Sequence, residues 1–248
     1  MIGIAPDGPE WPLVLVHVPP PLRPAFTTLF RLDRRLGAIV GEPNRPIAAI
    51  KLAWWRETLD RLDTAPPPPE PLLQAIATEL LHRAAPREPA AEQKPRKRRS
   101  GGASRSALNG GIGGGDLAAI AAGWDALIDD DAGHPDAPDE AAITRHAATR
   151  GGGLFGVAAR LLGCADAPAI RAQGAIWAFA TVPDSWTAPA RTVARREIAA
   201  LDPLRWPRKM RALGVLTALA RDGLMRENVH AGSPRRVARA LWLGLSGR

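Results

Sequence analysis

Pro46-Ile-Ala-Ala-Ile-Lys-Leu-Ala-Trp-Trp-Arg-Glu-Thr-Leu-Asp-Arg-Leu62 is the stretch that decides the fold class. Ile47, Ile50, Trp54, Trp55, Leu59 and Leu62 recur at helical spacing and form a broad apolar face, with Glu57, Asp60 and Asp63 on the opposite side. This is the strongest helix signal in the chain. Just upstream, Gly41-Glu-Pro-Asn stops an earlier helix that opens with Pro24 in its first turn and carries Phe26, Leu29, Phe30, Leu36 and Val40.

Downstream, the proline run 66–69 interrupts the pattern, and a shorter helix over 71–83 resumes it with Leu72, Leu73, Ile76 and Leu80. Residues 84–115 hold a Pro/Lys/Arg tract followed by Ser and Gly. With scarcely an apolar residue to offset the entropy of ordering, they read as a disordered basic insertion. Asp116 then caps a helix carrying Leu117, Ile120, Trp124, Leu127 and Ile128, which ends at the acidic cluster 129–131. Another helix opens near Pro138 and runs through His146 and Arg150 into Gly151-Gly152-Gly153 and on to Leu162. Three glycines weaken an isolated helix, so they mark a break or a close backbone approach. Helices over 167–182, 207–221 and from Ser233-Pro234 onward complete the expectation.

Composition agrees with helix. Ala and Leu dominate the 46% of residues that are apolar, and Tyr is absent. At 248 residues the chain can bury one sizeable core. The expected architecture is therefore all-α, a single-domain helical bundle: an N-terminal extension (1–21), N-terminal helices (22–83), the insertion (84–115) and the remaining helices of the same domain (116–248). The net charge of +8 invites a polyanionic partner, but six of those charges fall between Arg83 and Arg105, so the folded body is nearly neutral. That tract lacks interleaved aromatic residues, which argues against nucleic acid. Cys164 is the only cysteine, excluding an intramolecular disulfide and a cysteine-based zinc cluster. The apolar run Trp11 to Val18 is too short to span a bilayer. A reducing, cytoplasmic setting is expected, with peripheral contact at the inner face of a membrane as a further option for the Arg-rich last helix.

Four segments resemble the squalene/phytoene synthase family. They are Arg23-Pro-Ala-Phe with Leu29-Phe-Arg-Leu-Asp-Arg-Arg-Leu-Gly, Leu52-Ala-Trp-Trp-Arg-Glu-Thr-Leu-Asp, Arg150-Gly-Gly-Gly-Leu-Phe with Leu161-Leu-Gly, and Gly174-Ala-Ile-Trp-Ala-Phe-Ala. The resemblance implies an isoprenoid-synthase type of bundle around a cavity, with aspartate-rich motifs on two facing helices. There Mg²⁺ bridges carboxylates to the diphosphates of two prenyl substrates and stabilises the leaving group. In this chain the positions of the first motif fall on Arg35, Leu36 and Ile39, and those of the second on Thr181, Val182 and Pro183, leaving Asp184 in loose register. The resemblance therefore implies the fold without its metal chemistry.

The candidate residues are Asp33, Trp54, Trp55 and Arg56. Asp33 falls on the apolar stripe between Phe26, Leu29, Phe30 and Val40, so it points inward and needs a partner such as Arg56. It is either a structural ion pair or a remnant of the cavity. Trp54 and Trp55 are either core or walls of a prenyl cavity, and Arg56 is either an ion-paired surface residue or a diphosphate ligand. His146 has no second ligand at i+3 or i+4 and reads poorly as a metal site. Asp125 and Asp129 point away from the stripe centred on Trp124. Two functions follow from the resemblance: a protein without catalysis that binds a prenyl lipid or a protein partner and needs no cofactor, or an active prenyltransferase dependent on Mg²⁺.

Overall fold

The computed structural model describes residues 4–81, 111–128, 139–183, 186–202, 204–226 and 229–248. Among them all regular structure is helical and no strand occurs. The helices are α1 (Trp11–Leu15), α2 (Arg23–Val40), α3 (Arg45–Arg61), α4 (Pro71–Ala75), α5 (Gly114–Ala122), α6 (Glu140–His146), α7 (Gly153–Leu161), α8 (Pro168–Phe179), α9 (Thr187–Ala200), α10 (Arg211–Met225) and α11 (Pro234–Ser246). Most of the basic insertion and the acidic cluster 129–131 lie outside the described residues, as does Asp184.

The all-α expectation holds. Helix α2 forms the centre, burying Phe26, Leu29, Phe30, Leu32, Leu36 and Ile39 on one side, with Asp33 among them. The expected N-terminal extension joins the same core: Trp11 stacks on Phe26 with ring centroids 5.9 Å apart, and Val14 and Val18 are buried. Helix α3 is capped by Asn44, whose side chain accepts from the Ile47 amide at 3.1 Å. Helix α5 opens one turn earlier than the sequence suggested. Asp116 sits inside the first turn and accepts from the Gly113 amide at 2.9 Å, while both Asp63 oxygens accept from the Gly114 amide at 2.9 Å. No Cβ fits at Gly114, because it would fall on the carbonyl of Leu59, and this lets α5 lie directly on α3.

The long helix expected across 138–162 forms with a π-type turn, Ala147–Gly152, between α6 and α7. Of the three glycines, Gly151 serves close approach rather than a break. A Cβ on Gly151 would strike the carbonyl oxygen of Gly174, and one on Gly174 would strike that of Gly151, so the π turn and α8 meet backbone to backbone. This contact fixes the height of α8 against Arg150. Helix α9 was not anticipated; it buries only Ala190, Val193 and Ala194, residues too small to write a clear apolar stripe.

Candidate functional site

Asp33 is 3% exposed, as its place on the α2 stripe requires. Its partner is not Arg56 but Arg150, 117 residues away. Arg150 Nε donates to Asp33 Oδ1 at 2.7 Å and Nη2 donates to Oδ2 at 2.8 Å, a two-pronged pair in which both groups are buried. Nη2 also donates to Thr181 Oγ1 at 3.0 Å, and Nη1 to the Thr181 carbonyl at 3.4 Å. The guanidinium lies 4.0 Å from the centre of the Trp124 ring and 4.9 Å from that of Trp177, so aromatic faces take the place of water on it.

One turn before Arg150 on the same helical face stands His146, fully buried. Its Nδ1–H donates to the Gly123 carbonyl at 2.6 Å, and the remaining lone pair on Nε2 faces Arg150 Nη1 at 3.4 Å. Burial first, and the Arg150 charge second, push its pKa down to about 3, against the opposing pull of the Gly123 carbonyl. His146 is therefore a neutral orienting group. It is neither a base for neutral-pH chemistry nor a second cation beside Arg150.

This pair forms the polar floor of a cavity of about 390 Å³. Phe30, Trp124 and Trp177 supply aromatic wall, Gly37 and Ala38 a smooth one, and Ile4 to Pro6 of the N-terminal segment close one side. Gly37 is required: a Cβ there would stand 2.7 Å from the Trp124 ring. Asp33 is the only acidic side chain among the described residues that line the cavity. Among the described residues, no three His, Cys, Asp or Glu side chains gather to hold a metal ion.

The other candidates stand elsewhere. Trp55 is buried in the core, with the Arg35 guanidinium 6.0 Å from its ring. Trp54 is 44% exposed and meets Trp55 edge-on, outside the cavity wall. Arg56 turns toward the 3-10 turn Asp125–Leu127 that follows α5 and donates to Asp125 at 2.5 Å across a half-exposed surface. Helix α3 thus buries Ala48, Leu52, Trp55 and Leu59 and leaves Ile47, Ile50 and Trp54 exposed, a shift of its inner face from the one expected. Sequence reading missed Arg150, Trp124, Trp177 and Thr181 as site residues. The available signal was the His146/Arg150 spacing of one turn immediately before the glycines. No family model, curated protein or solved structure matches the chain.

Proposed function

We propose that this chain is a squalene/phytoene synthase-like protein that performs no prenyl condensation and binds an apolar lipid of the prenyl type in the Asp33–Arg150 cavity. The supporting observation is that both oxygens of Asp33 are taken by Arg150. A Mg²⁺ ion at Asp33 would have to displace that guanidinium and leave it buried without its counter-charge. Arg150 in turn has its donors committed to Asp33 and Thr181, so it offers little to a diphosphate. What remains is an electrically balanced floor under aromatic walls, in a volume within the range of about 300–1,000 Å³ common to small-molecule sites. That environment favours a neutral, apolar occupant. The exposed Leu241, Trp242 and Leu245 of α11 support peripheral contact with a bilayer from which such a lipid would be taken.

The test incubates the protein with farnesyl and geranylgeranyl diphosphates and Mg²⁺, with an active synthase carrying both aspartate motifs as control, and separately titrates farnesol while following tryptophan fluorescence. No condensation product and a saturable farnesol response that weakens in Gly37→Leu are expected. A metal-dependent product would restore the active prenyltransferase reading. A chain that neither condenses nor binds farnesol would leave a protein partner on an outer face as its role.

A further inference from the structure

A second cavity, of about 690 Å³, lies between α8, α10, α11 and the segment 204–206, and it shares no lining residue with the first. Its charge is one-sided. Arg205, Arg221, Arg239 and Arg248 border it, and no Asp or Glu is among its described lining residues. The carboxylate of Asp222 stands 4.0 Å from Arg239 but already serves Arg236 at 3.4 Å and Arg226 at 3.3 Å. Arg221 donates to the Ile198 carbonyl at 3.3 Å, and Arg205 has no polar partner among the described residues. Burial, with the Arg239 charge added, lowers the pKa of Arg221, the reverse of what a paired guanidinium shows.

An independent sign points to a ligand. Gln173 on α8 is 2% exposed and lines this cavity, and its side-chain amide has no hydrogen-bond partner among the described residues. An amide that makes no hydrogen bond among the described residues and is reached only from the cavity keeps its donors and acceptor for an occupant. An anion in the cavity supplies one: the Gln173 NH₂ donates to it while the guanidiniums neutralise it. Several guanidinium forks lining one cavity suit a dianion with several acceptor oxygens better than a carboxylate. The indoles of Trp206 and Trp242 add flat apolar surface beside the charge.

We infer that this cavity binds a phosphate monoester with an aromatic or apolar body, the phosphate held by Arg205, Arg221, Arg239 and Gln173 and the body against Trp206 and Trp242. Such a group comes either from a soluble aryl phosphate or from the head of phosphatidic acid. Equilibrium dialysis with phenyl phosphate and with inorganic phosphate reads the first source; flotation with vesicles of phosphatidylcholine, with and without phosphatidic acid, reads the second. The variants are Arg239→Gln and Arg205→Gln on exposed side chains and Gln173→Glu, which sets a carboxylate where the phosphate belongs, with the exposed Arg196→Gln as control. Saturable binding of phenyl phosphate that exceeds that of inorganic phosphate and falls about tenfold or more in each site variant is expected for a soluble ligand. Flotation that requires phosphatidic acid and is lost in the same variants assigns the head group. Absence of saturable binding in both formats, or binding equally strong in Arg239→Gln and Arg205→Gln, overturns the inference. Should Gln173→Glu fail to fold, the two arginine variants decide.

Discussion

Removing either member of the Asp33–Arg150 pair is expected to cost far more than removing both. The two single variants should also differ. Arg150 supplies the only donors that reach Asp33 among the described residues, so Arg150→Met strands a carboxylate that is 3% exposed. Asp33→Leu leaves the guanidinium with Thr181, the His146 lone pair and two indole faces. Breaking a buried pair costs about 3–5 kcal/mol, which puts Arg150→Met near the upper end and Asp33→Leu near the lower. For a chain of this size about 2–4 °C of Tm accompanies each kcal/mol, giving losses of roughly 10–20 °C and 6–12 °C.

The double variant Asp33→Leu/Arg150→Met leaves neither charge, and Thr181 keeps its hydroxyl on the Trp177 carbonyl at 3.2 Å. Apolar replacement of a whole buried pair is often neutral or stabilising by about 1–4 kcal/mol, so the double should be more stable than either single. Urea unfolding followed by far-UV circular dichroism at neutral pH measures all four corners of the cycle. Single losses below about 1 kcal/mol that simply add in the double would mean that the pair is solvated and uncoupled, and would refute the reasoning.

Stability should fall in acid partly through His146. Its folded pKa is depressed, so above the unfolded value of 6.5 it carries no penalty, and from there down to about 3 the unfolded chain binds a proton that the folded chain refuses. The slope is at most about 1.4 kcal/mol per pH unit, and unfolding free energies of His146→Asn measured across that window should show a shallower pH dependence than the wild type. Gly151→Ala and Gly174→Ala each place a methyl on a facing backbone carbonyl, so each should cost at least the upper end of the 1–3 kcal/mol that overpacking typically brings, read as a lowered urea midpoint.

The helices were legible because their apolar residues keep a helical period, and the direction of Asp33 was legible because it lies on such a stripe. Its partner was not. A side chain's angle on α2 says which way it points but not which distant element waits there, and Arg150 reaches it from the π turn that the Gly151–Gly174 contact seats on α8. Helix α3 shows a second limit. It is apolar over so much of its circumference that two neighbouring stripes compete, and burial chose Ala48, Leu52, Trp55 and Leu59 over the larger Ile47, Ile50 and Trp54. Likewise the last helix reads as Arg-rich and suited to a membrane surface, whereas its Arg236 is 1% exposed and paired with Glu10 at 2.5 and 2.8 Å.

That second buried pair explains why the N-terminal segment belongs to the domain. Glu10 is fully buried and accepts from Arg236 and from the Gly232 amide at 3.0 Å, while Arg236 also donates to the Leu219 carbonyl at 3.0 Å. One carboxylate near the start of the chain thus locks α11 onto α10. A few residues earlier, Ile4 to Pro6 wall the Asp33–Arg150 cavity; on α11, Arg239 and Trp242 border the cationic one. The same short segment lines one cavity and, through the Glu10–Arg236 pair, holds the helix that borders the other. Buried pairs of this kind add little over apolar packing, but a mispaired alternative strands a charge, so their contribution is to admit one seating of α1 and α2 against the C-terminal half. The two cavities are products of that seating: at Asp33 a closed pair leaves the floor of one electrically balanced, and beside Asp222, where cations outnumber carboxylates, the other keeps a surplus of guanidinium groups.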